Sequence, residues 1–293
     1  MTNCKICGSV LPELAEITSY DYLIKQGNST PFQVFYCKKC HIATTYPEIS
    51  DSELKNYYPS TFEAFKHRKG FLQLLTAFKH NNEIKWFKKK LSSGAEIFEI
   101  GAGRGEFLDR LKKQGFTVSG TEPSENGRNQ CYESYNILLE SPSAEKTVFT
   151  KQWDAIIMRH VLEHTSDPVK VLTTIYSGLK NNGILFIKIP KYNSWEKRYY
   201  KNYWHGLDLP RHRFHFTNQG IELLLKQIGY TNILISNERI PTDILRSLNN
   251  KCTDHVNLFC YLPKSIKLLV SIIISLFIKQ NSLGRMIIVC RKP

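Results

Sequence analysis

The chain has 293 residues, 42% apolar and 12% aromatic, with a formal charge of +14 and an isoelectric point near 9.3. That is enough apolar material for a full core and long for one domain, so one large domain plus a small module is expected; no internal repeat or low-complexity tract suggests otherwise. The basic balance suits an anionic partner (nucleic acid, a lipid surface or a phosphorylated substrate) without choosing among them, and a general habit of lysine usage explains it equally well.

The opening MTNCKICGSV has no apolar core region or cleavage signature, so it reads as no signal peptide and the protein as cytoplasmic, where thiols stay reduced. Eight cysteines then argue for metal ligation by the clustered ones and against disulfides. Cys4 and Cys7 form one CxxC, and Cys37 and Cys40 a second, 29 residues apart. Each knuckle sets two sulfurs on one side, so the pair can close a structural tetrahedral zinc site with no open position for catalysis. His41 follows Cys40 directly and is a substitute ligand on spacing alone. The β-prone run Phe32–Tyr36 predicts a small sheet between the knuckles. Cys131, Cys252, Cys260 and Cys290 lack partners at ligand spacing and read as small buried apolar residues. The module, residues 1–60, reads as a zinc-ribbon-like lid or docking unit, since its aromatics look like core residues and its loop is only mildly basic.

From residue 61 the pattern becomes α/β. AEIFEIG reads as a buried strand, Gly101-Ala102-Gly103-Arg104-Gly105 as a turn, and EFLDRLKKQG as a helix stopped by Gly115. Glycines at such a turn let backbone approach a ligand, and the helix start offers free N–H groups. Glu106 stands where a dinucleotide fingerprint wants its third glycine, which argues against an NAD-dependent oxidoreductase. Glu99 just before the turn repels a pyrophosphate but suits a cationic ligand with an ammonium and a sulfonium. FTVSGTEPS is a second strand; Glu122, 21 positions after Gly101, is placed to hydrogen-bond ribose hydroxyls, with Pro123 beside it. Its plain alternative is an exposed strand-end acid.

WDAIIM, GILFIKIP, TNILIS and RMIIVCRK read as further strands. DPVKVLTTIYSGL, with Asp167 near the N-cap and Pro168 at the first position, and NQGIELLLKQIGY read as helices. Gly101, Glu122 and Arg159 all fall at strand carboxyl ends, where such sheets bind ligands. Histidines, the natural general bases near neutral pH, cluster at His160 and His164 and at His205, His212 and His215. His164, His205 and His212 are the catalytic candidates, each with a plain structural alternative. Trp204, Asp208 and Arg211, in YWHGLDLPRHRFHF, are candidate substrate contacts, although Asp208 and Arg211 could equally form a structural ion pair.

These motifs resemble the class I S-adenosylmethionine-dependent methyltransferases, and among them methyltransferase family 23. EIGAGRG looks like the donor-binding motif, TEPS like the ribose-binding segment, WDAIIMRHVLEHTSDP like the fourth strand and its loop, and LDLPRHRFHFTNQGIELLLKQIGY like that group's late loop and helix. The paired CxxC is similar to zinc-bearing members, including some sugar methyltransferases. The resemblance implies a Rossmann-like seven-stranded sheet with one antiparallel strand, running over 61–240 and ending in a final strand at 282–293. It implies that Glu99, Gly101, Ala102, Gly103 and Gly105 hold the methionine part of S-adenosylmethionine, Glu122 and Pro123 the ribose, and Arg159 and His160 the sulfonium side; Glu140 to Ala144 are candidates for the adenine. The expected acceptor is a small molecule, a sugar or a lipid-linked glycan. The alternatives are an RNA-directed methyltransferase and a nucleic-acid-binding zinc ribbon with a non-catalytic domain; the lack of clustered Lys/Arg with aromatics in the ribbon weighs against nucleic acid.

An insert at 241–281 contains an apolar run, Ile266–Ile278, broken only by Lys267, Ser271 and Ser275 at i, i+4, i+8, with Lys279 in the same row. It is too short to span a bilayer, which takes about 20 residues. A buried packing helix, a dimer seam and a peripheral membrane contact through 264–279 all remain open, and the last would add membrane association to a cytoplasmic location.

Overall fold

The computed structural model describes residues 2–24, 31–58 and 71–293; the expected module boundary at residue 60 lies outside them. Strands β1 (Ile17–Ser19), β2 (Phe32–Tyr36) and β3 (Ile42–Tyr46) form an antiparallel sheet, which fulfils the expectation for Phe32–Tyr36. Helices α1 (Asp51–Leu54) and α2 (Phe71–Lys90) follow. Then come β4 (Glu96–Ile100), α3 (Glu106–Lys112), β5 (Thr117–Thr121), α4 (Glu125–Tyr135), β6 (Trp153–Arg159), α5 (Pro168–Gly178), β7 (Leu179–Pro190) and α6 (Trp195–Tyr200). The chain finishes with β8 (Phe214–Phe216), α7 (Asn218–Ile228), β9 (Thr231–Glu238), α8 (Pro241–Asp254), α9 (Leu258–Tyr261), α10 (Lys264–Phe277) and β10 (Arg285–Arg291).

The central sheet has the order β5-β4-β6-β7-β10-β9. β4 to β7 run parallel, and β10 lies antiparallel between β7 and β9. Among the described residues six strands stand where seven were expected. The seventh position, beside β5, is taken by Ile137–Glu140, which shares only two backbone hydrogen bonds with that strand: Glu140 N–H to Gly120 and Glu122 N–H to Glu140. A segment so short, soon followed by Pro142, does not extend a ladder.

Parallel strands buried on both faces need apolar residues at every position. Ile97, Ala155, Ile157, Ile184 and Phe186 pack with α2, α3 and α4; Phe98, Ile100, Ile156, Met158, Leu185 and Ile187 pack with α5 and α7. The capping follows local chemistry. The Asp167 carboxylate accepts from Lys170 N–H ahead of Pro168, Thr217 caps α7, and Gly229 at φ +111° ends it.

The N-terminal sheet takes its fourth strand from far along the chain. β8 pairs with β3 through Ile42–Phe216, Ala43–His215 and Thr44–Phe214, and Ile42, Phe214 and Phe216 join the core under α7.

Cys131 and Cys290 are buried and free as expected. Cys252 and Cys260 are not lone apolar residues: they form a disulfide linking the end of α8 to α9. The turn between the two helices brings their Cα atoms to 5.7 Å, a proximity that an eight-residue separation does not announce. Among the described residues no helix is long and apolar enough to cross a membrane.

Candidate active site

β4 ends in a bend held by three left-handed glycines, Gly101 (φ +69°), Gly103 (+58°) and Gly105 (+74°). They do different work. A Cβ on Gly101 would meet Val161 at 2.6 Å and one on Gly105 would meet the Cys131 sulfur at 2.1 Å, whereas one on Gly103 would meet none of the described residues within 4 Å. The outer two are packing glycines, and Gly103 alone opens onto free space. Ala102 N–H donates to Thr121 and Gly103 N–H to Glu122 Oε2 at 2.8 Å, while Ser124 N–H donates to Glu122 Oε1 at 2.9 Å. The bend and the end of β5 are thus one unit, with a carboxylate at the seam. Burial pushes that carboxyl above its usual range despite these donors. Pro123 is exposed at its margin.

Under the bend Glu99 is fully buried. Its Oε1 accepts from Arg159 Nε at 2.8 Å, and its Oε2 has no hydrogen-bond partner among the described residues. A buried carboxylate oxygen without a donor is costly, and a ligand ammonium would supply one. Burial raises the carboxyl, with Arg159 opposing. Arg159 also stacks on Phe107 at 4.0 Å and donates to His80 Nε2 at 3.1 Å. Arg159 is therefore held within the protein by Glu99, Phe107 and His80. His80 and Glu83 of α2 were not anticipated: Glu83 takes Lys188 at 2.7 Å and lies 3.8 Å from Arg159. Nothing in FLQLLTAFKHNNEIKWFKKK separates them from other polar helix residues, because it is the return of α2 over the sheet that brings them here.

Beyond β6, His160 (φ +58°) accepts from Arg285 Nη1 at 3.1 Å through Nε2 and places Nδ1 3.3 Å from Glu163 Oε1. Burial, then Arg285, keep this ring well below its usual pKa. His164 and His212 lie edge to face at 4.6 Å. Each donates through Nδ1 to a main-chain carbonyl, of Arg211 (2.9 Å) and Gly206 (2.8 Å), which puts the lone pair of each ring on Nε2; the Nε2 of His212 lies 3.8 Å from Asp208 Oδ2 and 4.0 Å from Glu163 Oε1. Burial takes His164 down to about 3 and lowers His212, so both rings are neutral bases at neutral pH. Glu163, another residue not anticipated, is buried beside them, its carboxyl raised by burial to about 8. Ligand atoms of Glu163, His164 and His212 lie within 4.8 Å of one another, a set that can accept a proton or hold a divalent ion. His205 stands apart: its N–H donates to Ser247 and its Nε2 accepts from Arg246, and burial lowers it to about 4.

The expected substrate wall is largely a structural clamp. All five guanidinium donors of Arg211 are used: Nε on Asp208, Nη1 on Asp21 and the Tyr57 carbonyl, Nη2 on Asp21 and Asp208. No donor is left for a substrate. Asp208 is the partner in that ion pair, and burial of its carboxyl is outweighed by Arg211, which holds it well below the usual carboxylate range. Trp204 is buried among Tyr192, Tyr200 and Leu207 and touches no open space. The substrate role read for Trp204 and Arg211 is thereby corrected, because an isolated sequence does not reveal that Asp21 lies against this loop.

In the N-terminal sheet the four cysteines converge. Cys4 and Cys40 sulfurs are 3.6 Å apart, as are those of Cys7 and Cys37, and all four lie within 4.8 Å. A tetrahedral ion with Zn–S of about 2.3 Å needs sulfurs about 3.8 Å apart, so the cage fits. Each knuckle turns on a left-handed residue, Gly8 (φ +71°) and His41 (φ +60°). His41 itself hydrogen-bonds Tyr36 through Nδ1 at 2.9 Å and is not in the cage.

Comparison with known proteins agrees with this geometry. The profile of the family described as methyltransferase domain, methyltransferase family 23, matches residues 68–235. A ubiquinone biosynthesis O-methyltransferase of Actinobacillus pleuropneumoniae is 28% identical over 104 residues, covering 32% of this chain and 44% of the relative. A tRNA U34 carboxymethyltransferase of Campylobacter jejuni is 28% identical over 114 residues, 36% and 38% of the two chains. The chain spans about half the length, or less, of the curated relatives it matches. Phosphoethanolamine N-methyltransferase 2 of Haemonchus contortus, solved with S-adenosylhomocysteine, superposes with a TM-score of 0.57 at 16% identity over 92% of this chain and 70% of that one, a likeness of fold. With the matched profile covering more than half its length and the glycine bend at the carboxyl edge of its sheet, the chain belongs to the methyltransferase domain family and has the class I S-adenosylmethionine-dependent methyltransferase fold.

Proposed function

We propose that the protein transfers a methyl group from S-adenosylmethionine to a small-molecule or sugar acceptor, lipid-linked glycans included. The observation that carries this reading is the buried Oε2 of Glu99, without a hydrogen-bond partner among the described residues, together with Gly103, the one glycine of the bend that faces open space. The donor, when bound, supplies a methyl carbon already activated on sulfur. The residues of the chain align and desolvate. Glu99 accepts from the donor's ammonium, Glu122 from ribose hydroxyls, and Gly103 allows close backbone approach. His212, neutral and with its lone pair on Nε2, takes the proton of an acceptor hydroxyl, supported by Glu163, Asp208 and His164. Cys4, Cys7, Cys37 and Cys40 hold a structural zinc ion. Label transfer from methyl-labelled donor to sugar nucleotides, lipid-linked glycans and RNA tests the reading. Transfer to a sugar-bearing acceptor is expected; transfer to RNA alone would move the assignment to nucleic acid, and failure to bind donor would remove it.

A further inference from the structure

We infer that α10, with the turn that precedes it, is a docking surface for an anionic lipid bilayer. The helix is inside out relative to a soluble amphipathic helix. Its buried stripe is polar: Ser271 and Ser275 are 0% and 1% exposed, and their hydroxyls are satisfied within the helix by the carbonyls of Lys267 and Ile272. Its outward stripe is apolar: Leu269 is 55% exposed, Ile273 47%, Leu276 65% and Phe277 85%. Val256, Leu258 and Tyr261, on the preceding turn, are exposed as well. Small serines let α10 lie close against α8, so the bulky side chains are left facing out. Fourteen residues make a helix of about 21 Å, too short to cross a hydrocarbon core of about 30 Å but long enough to lie in its surface.

Charge selects the occupant. From His255 to the C-terminus the sequence has no aspartate or glutamate, and Lys264 and Lys279, both exposed, stand at the two ends of α10 with Lys267 between them. Apolar groups on a helix flanked by lysines at both ends complement an anionic bilayer. A second copy of the same face would bring like charges together, which disfavours a dimer seam.

The position adds a consequence. β9 ends at Glu238 opposite Arg285, and Arg285 lies opposite Pro190 at the end of β7, so the whole insert leaves and rejoins the sheet at its carboxyl edge. That edge carries the glycine bend. α8, on which α10 packs, reaches the site directly: Asp243 holds Arg285, which donates to His160, and Ser247 accepts from His205. A bilayer under α10 would therefore lie on the side of the molecule that carries the glycine bend. The docking inference rests on the outward face of α10 and not on the reaction proposed above.

Co-sedimentation of the full chain with vesicles of phosphatidylcholine, alone or mixed with phosphatidylglycerol, tests this. The protein should pellet with the mixed vesicles, less with the neutral ones, and less at high salt. The triple variant Leu269→Glu, Ile273→Glu, Leu276→Glu should lose at least about tenfold in partitioning while keeping its affinity for the donor. Lys264→Glu with Lys279→Glu, which leaves the apolar face intact, should abolish the preference for anionic vesicles and remains informative if the triple variant does not fold. A wild-type protein that stays in the supernatant with both vesicle types overturns the inference, as does a folded triple variant that still pellets. Sedimentation velocity showing a dimer that the triple variant breaks, without vesicle binding, assigns the face to a second copy instead.

Discussion

The three glycines of the bend share one backbone conformation and differ in what surrounds them. At Gly103 the space is open, so Gly103→Leu should leave the fold standing at a cost of about 1–2 kcal/mol for the left-handed φ while its side chain enters that space. Calorimetry should find donor affinity reduced by at least about a hundredfold, with circular dichroism near wild type; unchanged affinity would count against the site. Gly105→Ala should instead yield a poorly folded protein, because the new Cβ runs into Cys131. Glu196 makes a different point. This buried carboxylate at the start of α6 accepts from Gly284 N–H, yet burial raises it to about 7 from an ordinary 4.5. A carboxyl raised on folding stabilises the protein fully below its unfolded value, and that contribution is lost as pH rises through about 7. Glu196→Gln removes the dependence. Denaturant titrations should show the variant gaining about 1–3 kcal/mol on wild type between about pH 5 and about pH 9, and a constant difference would refute this account.

Several elements do work that lies far from their place in the chain. β8 is three residues long, but it completes the sheet of the cysteine module, and the loop before it carries Arg211 into a cage made by Asp21, Asp208 and the Tyr57 carbonyl. Arg211→Met should cost about 3–5 kcal/mol in denaturant unfolding, since two buried carboxylates lose their counter-charge. Donor affinity should change little, because all five donors of Arg211 are spent on Asp21, Asp208 and the Tyr57 carbonyl; a large loss of affinity with stability intact would restore it as a ligand contact. α2 likewise closes the site by bringing His80 and Glu83 onto Arg159. α10 follows the spacing of its own residues, but which of its faces turns inward is settled by the small surface that α8 offers.

At the scale of the molecule, the four-cysteine cage and the histidine cluster are mechanically joined through β3 and β8, with His215 held by Thr45 of β3 at 2.9 Å. Metal analysis should find one zinc per chain, and none in a Cys4→Ser, Cys37→Ser variant. Chelation should lower the melting temperature and slow methyl transfer more than it weakens donor binding, since the histidine loop depends on the module and the glycine bend does not. Equal loss of both, or loss of neither, would contradict this coupling. The parts of this architecture written in local order were legible from the amino acids alone: the CxxC pairs, the strand-glycine-helix turn, Glu122 at the end of its strand, the Asp167-Pro168 helix start, and the polar row along 267–279. Each depends on neighbours within a few residues or on a repeat of 2 or 3.6. Tertiary structure alone decided the rest. It reduced the seventh strand to a bridge, paired Cys252 with Cys260, used up Arg211 inside the protein, set Glu163 between two neutral imidazoles and turned the serines of α10 inward. Those outcomes depend on which distant side chain supplies a donor, a counter-charge or a surface, and that is known only once the chain has folded back on itself.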